Sequence, residues 1–408
     1  MPTTPAIASL DDRANQRNVL LAGFLGWTLD AFDFFILVMV LQAVADDLAG
    51  GSIPKIALTL TASLAMRPLG ALLFGMMADR YGRRLPLMLD IIFYSIVEVA
   101  SGLAPNYATF MILRLLYGIG MGGEWGVGAS LTMESVSPRW RGVLSGLLQE
   151  GYALGYLLAA LVAYFVYPHW GWRPMFFIGG LPALLTLFIR SKVKESPTWA
   201  HSRTDWPTYW RAIARNWKLF LYLVLLMMMM NSISHGTQDM YPTFLKHQRG
   251  YSAQATSVIV IISMIGAILG GITFGFLSDK KGRRRAMVTA VLSALILIPL
   301  WIFAPSTGVI VVGAFLMQFM VQGAWGVIPA HINELSPDAI RGFFPGFAYQ
   351  LGVLCASSIT YMQARMAEHF TYSLVMGVSM TIVLIVGAIV ISLGPERRGV
   401  VFGADASG

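Results

Sequence analysis

Of 408 residues, 56% are hydrophobic and only 12% charged, about half the charged fraction of an ordinary soluble domain. Together with a mean hydropathy of +0.65, this excludes a water-soluble globule. The net charge of +8 does not signal nucleic acid either, because no recognition module or stacking platform accompanies the basic residues.

Apolar runs of about 20 residues, the length that crosses about 30 Å of hydrocarbon, recur along the chain. They fall near 19–45, 55–78, 85–104, 107–135, 142–166, 172–190, 218–245, 254–277, 286–304, 308–335, 342–364 and 371–393. Twelve spans divide evenly into two sets of six. With both termini in the cytoplasm, 22 of the 29 Lys and Arg residues lie on that side, the bias expected of an inner (plasma) membrane protein. The first 18 residues carry Asp11, Asp12 and Arg13 and no cleavable signal pattern, so the first span itself directs insertion.

Ionisable groups at bilayer depth cost about 2.5–3.5 kcal/mol each on insertion scales and are functional candidates by default. Span one carries Asp30 and Asp33, three residues apart and on one helical face. Span two carries Arg67 near its middle; its fork of donors suits bidentate contact with a carboxylate. The loop after it reads Gly75-Met-Met-Ala-Asp79-Arg80-Tyr-Gly82-Arg83-Arg84. Span three adds Asp90 and Glu98, span four Arg114 and Glu124, span five Gln149 and Glu150. For Asp90, Glu124 and Glu150, helix pairing explains the placement as well as function does.

The longest polar stretch, 191–217, reads as a cytoplasmic linker with an amphipathic surface helix. The expected organisation is therefore an N-terminal six-helix bundle (1–190), this linker, and a C-terminal six-helix bundle (218–408). Span seven is the most polar: Asn231, Ser234, His235, Thr237, Gln238, Asp239, Tyr241 and Thr243. Asn231, His235 and Gln238 follow the spacing of one helical face, and such a stripe must line a hydrated cavity or a partner helix. His235 and Asp239, one turn apart, suit sharing a proton. Pro242 interrupts the backbone ladder and frees a carbonyl. After span eight the earlier loop returns as Gly275-Phe-Leu-Ser-Asp279-Lys280-Lys-Gly282-Arg283-Arg284, two hundred residues on. Glu134…Arg141-Gly142 and Glu334…Arg341-Gly342 keep the same offset, so the halves are duplicated, as in many transporters. Span ten holds His331, span eleven Gln350 and the single cysteine, Cys355. One cysteine allows neither a disulfide framework nor a cysteine-rich metal site. No phosphate-loop motif for an ATP-driven pump occurs, and no nucleophile constellation for an enzyme.

The G-x-x-x-D-[RK]-x-G-[RK]-[RK] loop, its repeat, and Arg114-Leu-Leu-Tyr-Gly118-Ile-Gly120-Met-Gly122 in span four resemble signatures of the major facilitator superfamily. The resemblance covers the whole chain. It implies an all-α membrane protein of two pseudo-symmetric six-helix bundles, in which Asp79, Arg80, Arg83, Arg84, Asp279, Arg283 and Arg284 form a cytoplasmic charge latch. Gly118 and Gly122, on one helical face, permit close helix contact. The run Asn231 to Thr243 fits N-x-x-[ST]-H-x-[ST]-Q-D-x-x-x-T at every defined position and resembles the Jen family of carboxylate–proton symporters. Gln149-Glu150-Gly151-Tyr152 and Tyr349-Gln350-Leu351-Gly352 are also similar to that family; Val353 departs from it where a polar residue is expected. Leu29-Asp30-Ala-Phe32-Asp33-Phe34 is similar to the first span of sialic acid and aromatic-acid symporters.

The expected activity is symport of a small monocarboxylate (lactate, pyruvate or acetate) with a proton. Arg67, Asn231, His235, Gln238 and Gln350 would bind substrate, and Asp30, Asp33, His235 and Asp239 would carry the proton. The expected partners are a small organic anion, a proton and membrane lipid, with no cofactor, metal or nucleic acid, in a monomer. A symporter for a bulkier acid is the first alternative, and a nutrient sensor that does not transport is the second.

Overall fold

In hydrocarbon, backbone N–H and C=O groups must pair within their own segment, so apolar runs joined by short polar turns become helices. The computed structural model describes residues 10–81, 84–123, 141–184, 206–337 and 344–400, with isolated positions 125, 129, 133, 187, 188 and 191. Its helices are α1 (Leu10–Leu48), α2 (Ile53–Tyr81), α3 (Arg84–Gly102), α4 (Tyr107–Met121), α5 (Arg141–Phe165), α6 (Tyr167–Trp170), α7 (Arg173–Ile178) and α8 (Trp206–Arg215). The second half follows with α9 (Trp217–Gln238), α10 (Tyr241–His247), α11 (Ala253–Lys281), α12 (Arg283–Ile302), α13 (Thr307–Leu335), α14 (Phe344–Ala356), α15 (Ile359–Met366) and α16 (Tyr372–Leu393). Among the described residues, nine spans have the length and composition to cross a membrane.

The remaining expected spans are shorter or broken. Only Tyr107–Met121 of span four forms a described continuous helix, and span six is α7 followed by a short 3-10 turn, Leu181–Leu184. Span eleven divides into α14 and α15. At that break the Ser357 hydroxyl donates to the Leu354 carbonyl at 2.7 Å, while the Ser357 carbonyl accepts from Thr61 of α2 at 2.8 Å. These side-chain bonds compete with the helical ladder. Span seven, one of the nine, also breaks at Asp239 and Met240, where Pro242 has no N–H for the Gln238 carbonyl four residues back. That carbonyl instead accepts from the Tyr156 hydroxyl of α5 at 3.2 Å. The linker contains the expected helix, α8, with Trp210 exposed.

Within a bilayer, helices associate by close packing and polar contacts rather than by the hydrophobic effect. A Cβ on Gly118 would stand 2.0 Å from the Ser63 carbonyl oxygen, and one on Gly122 2.0 Å from that of Arg67. Glycine alone therefore lets α4 lie this close to α2. Arg114 and Glu98 bind each other at 2.5 Å inside the first half, with Ser101 as a second acceptor. Both are buried, and removing either partner from such a pair costs about 3–5 kcal/mol. The halves meet where α5 packs on α11 and α13, and where α2 packs on α14 and α15.

Candidate functional site

The middle of α2 delivers Arg67 to the seam between the halves, and α1 and α4 close around it. Its Nη2 lies 3.5 Å from Asp30 Oδ2 and donates to the Met121 carbonyl at 3.4 Å. The arginine is thus not unpartnered, as its isolation within an apolar span suggests. A carboxylate from the preceding helix already holds it, because one buried charge demands another. From the opposite half, Gln350 Nε2 donates to the Gly122 carbonyl at 3.0 Å, which brings it to the same helix end.

Rings complete the enclosure. The guanidinium carbon stands 5.9 Å from the ring centre of Trp27 and 5.8 Å from that of Tyr349, within cation–π range. Tyr349 stacks on Trp125 at 4.3 Å and meets Trp325 edge-on at 6.1 Å, while Trp27 stacks on Tyr152 at 5.6 Å. This aromatic wall was not among the expected site residues. A signal for it exists, since Trp125 and Trp325 stand at the offset of the repeat.

Asp33 does not join Asp30. A Cβ on Gly179 would meet Asp33 Oδ1 at 3.0 Å and Glu98 Cγ at 2.6 Å, so Asp33 faces the interior of the first half. The two aspartates lie on one broad face but look at different neighbours.

On α9, His235 Nδ1 lies 3.2 Å from Asp239 Oδ2, which also accepts from Thr360 of α15 at 2.6 Å. The imidazole packs against Phe34 of α1 at 5.4 Å, so this pair also sits at the seam. Tyr152 stacks on Trp27 and meets Phe35 of α1 edge-on at 5.0 Å, and the Ser234 hydroxyl donates to Gln238 at 3.2 Å. Asn231 and Gln238 do not point at Arg67. Asn231 Nδ2 donates to the Met227 carbonyl of its own helix at 2.7 Å, and Gln238 Nε2 donates to Gln318 of α13 at 2.8 Å. Asn231, Ser234 and Thr237 of the polar stripe bond within their own helix, and Gln238 and Asp239 bond to α13 and α15. Arg67, Asp30, His235, Asp239 and Gln350 each expose 4% of their surface or less.

Glu150 lies against α11, since a Cβ on Gly271 would stand 1.6 Å from its Oε1. His331 is buried in α13, apart from these groups, and Asp90 abuts Gly123.

At the end of the molecule rich in basic residues, Asp279 accepts from the backbone N–H of Gly142 and Val143, both at 3.2 Å. It thereby caps α5, using the partial positive charge of a helix N-terminus. Arg283 binds Asp279 at 2.7 Å and grips Glu334 through Nε and Nη2, both at 3.0 Å, while Arg141 approaches Glu334 at 3.5 Å. These groups bridge the halves. Arg284 does not; it donates to the Ile391 and Ser392 carbonyls within the second half. The side chains of Asp79, Arg80, Arg83 and Arg84 lie outside the described residues, as do Glu124, Glu134, Arg341 and Gly342.

The chain is 27% identical over 381 residues to the carboxylic acid transporter protein homolog of Saccharomyces cerevisiae, a match covering 86% of this chain. It spans 62% of that relative's length. To the sialic acid transporter of Escherichia coli it is 29% identical over 376 residues, 91% of each protein. The structure of the proton:xylose symporter XylE superposes with a TM-score of 0.77 at 19% identity, over 96% of this chain and 98% of that one; at this identity the likeness is one of fold. The family model described as the Major Facilitator Superfamily matches residues 23–360 and again 237–405. By that match the chain belongs to the major facilitator superfamily, as a multi-pass secondary transporter and not an enzyme.

Proposed function

We propose that this protein carries a small monocarboxylate, lactate first, together with a proton by alternating access of residues 1–190 and 218–408 about the linker 191–217. The observation that carries the proposal is the Arg67–Asp30 pair at 3.5 Å, buried at the seam and faced by Tyr349 of the opposite half. Asp30 occupies the place a substrate carboxylate needs. When Asp30 takes up a proton, Arg67 loses its internal anion and binds an external one; when the substrate leaves, Asp30 can ionise again. One anion and one proton then move together, and the step is electroneutral. His235 and Asp239, at the same seam beside Phe34 of α1, provide a second place for the proton on the other half.

The run from Asn231 to Thr243 supports a short acid, as does similarity to a relative named as a carboxylic acid transporter. A second reading, a bulkier organic acid, draws on the wall of Trp27, Trp125, Tyr152 and Tyr349 and on the sialic acid relative. Purified protein in proteoliposomes separates them. Uptake of labelled lactate, driven by an imposed pH difference and displaced by pyruvate but not by sialate or 4-hydroxybenzoate, supports the first. Displacement in the opposite order overturns it.

A further inference from the structure

Away from the central site, the end of α11, the start of α12, Ser392 of α16 and the segment 396–400 line a cleft of about 950 Å³ at the arginine-rich end. Its lining includes Lys281, Arg285, Arg397, Thr289, Ser392 and Glu396. Two neighbouring arginines are already engaged: Arg284 with the carbonyls that end α16, and Arg398 with the Lys280 carbonyl at 2.8 Å. Glu396, the acid in the lining, accepts from the backbone N–H of Arg283 and Arg284 at 3.1 and 2.9 Å. Lys281, Arg285 and Arg397 are exposed, and among the described residues no ion pair or side-chain hydrogen bond holds them.

Helices α12 and α16 turn an apolar face outward along the bilayer. Leu292 and Ile296 of α12 and Ile389 and Leu393 of α16 are exposed. Farther along, Ile298, Leu374, Val378 and Ile382 line an apolar groove of about 280 Å³. A cationic cleft at the interface followed by apolar grooves along one helix pair matches a molecule with an anionic head and hydrocarbon tails. Basic pockets between helices at the cytoplasmic surface bind such headgroups.

We propose that this cleft is a binding site for the phosphate of an anionic phospholipid, held by Lys281, Arg285 and Arg397. Binding there bears on the latch, because the strap 394–400 connects them. Its Gly399 N–H donates to Glu334 Oε1 at 3.2 Å, and its Val400 carbonyl accepts from Arg141 at 2.9 Å. A headgroup that draws the strap against α12 stabilises the closed junction of α5 with α11 and α13.

The test is native mass spectrometry of the full chain in detergent, titrated with phosphatidylglycerol, phosphatidylcholine or inorganic phosphate. Each basic residue at an anionic surface strengthens attachment about fivefold. The Arg285→Gln/Arg397→Gln variant should therefore bind phosphatidylglycerol roughly 25-fold more weakly, with an unchanged melting temperature. Arg211→Gln/Arg215→Gln, an equal charge change on α8, should bind it normally. Equal retention of phosphatidylcholine and phosphatidylglycerol, or equal loss in both variants, overturns the proposal. Displacement of the lipid by millimolar inorganic phosphate also overturns it, since that result assigns the cleft to a soluble phosphate ester.

Discussion

Laid over one another at an offset of two hundred residues, the two halves repeat a tight helix crossing, although Gly118 and Gly122 give way to Gln318 and Gln322. A Cβ on Gly70 would stand 1.8 Å from the Ile119 carbonyl oxygen; one on Gly270 would stand 1.9 Å from that of Phe319. Trp125 and Trp325 both approach Tyr349. The loop charges repeat as well, but those deep in the spans follow the opposite pattern. Arg67 corresponds to Ala267, Asp30 to Met230, His235 to Phe35 and Asp239 to Met39. Duplication supplied the scaffold and the pseudo-symmetry, whereas each half keeps its own ionisable groups at different heights. The first half holds an arginine and its carboxylate; the second holds a histidine and its carboxylate. For the proposed cargo of an anion and a proton, two unlike centres are what the transport cycle requires.

The strongest way to break the comparison is to give one half the residue of the other. Arg67→Ala, which installs the residue of the second half, should lower counterflow of labelled lactate by about two orders of magnitude, the scale of removing one partner from a buried charge pair. Adding Asp30→Asn should restore thermal stability, by removing the stranded carboxylate, but not counterflow. Recovery of transport in the double variant would make the pair structural. Arg67→Lys should fall between, roughly tenfold below the parent, because an ammonium lacks the planar fork.

The second half should fail differently. Asp239→Asn leaves Arg67 intact, so exchange of labelled for unlabelled substrate should continue near its normal rate. Net uptake driven by an inward proton gradient should drop about a hundredfold, the lower end of what loss of a positioned proton carrier does. Equal loss of both activities would place Asp239 in substrate binding or folding instead.

Much of this contrast is legible in the sequence, for a physical reason. Hydropathy, the repeat and the expense of a buried charge are local properties, so the spans, Arg67 and the His235/Asp239 pair declare themselves. Pairing is not local. Arg67 meets Asp30 across 37 positions, and nothing in either segment alone states that they touch. Asp30 and Asp33 show how narrow the margin is, because three residues of helix leave them about 60° apart, enough for one to face Arg67 and the other Glu98. Gln238 fits a polar stripe yet binds Gln318, since any buried amide must find a partner. The break at Pro242 could be read directly; the break at Ser357 depends on Thr61 of another helix.

The scaffold half of the comparison predicts equal effects. Gly70→Ala and Gly270→Ala each force a methyl group into a carbonyl at a helix crossing, and overpacking of this kind costs about 1–3 kcal/mol. Their melting temperatures should fall by similar amounts, with the substrate preference of each variant unchanged. A large fall in one and none in the other would mean that the halves bear unequal packing loads despite matching distances.

The smallest effect should come from Val353. It lies one turn beyond Tyr349 and so shares the helical face that looks toward Arg67, and it is buried. The resemblance of Tyr349-Gln350-Leu351-Gly352 to carboxylate–proton symporters implies a polar residue here, and valine has no group to hydrogen-bond. Val353→Thr keeps the side-chain shape and adds one hydroxyl. If that face of α14 contacts substrate, an acid with a 2-hydroxyl should gain the worth of one hydrogen bond, about 0.5–1.5 kcal/mol. Lactate affinity should then rise roughly two- to tenfold, while that for acetate, which has no hydroxyl to pair, stays the same. Competition against labelled lactate in proteoliposomes reads both. A parallel change for lactate and acetate would show that the hydroxyl acts on the helix, by bonding back to the Tyr349 carbonyl, and that the face bearing Tyr349 serves the arginine rather than the cargo.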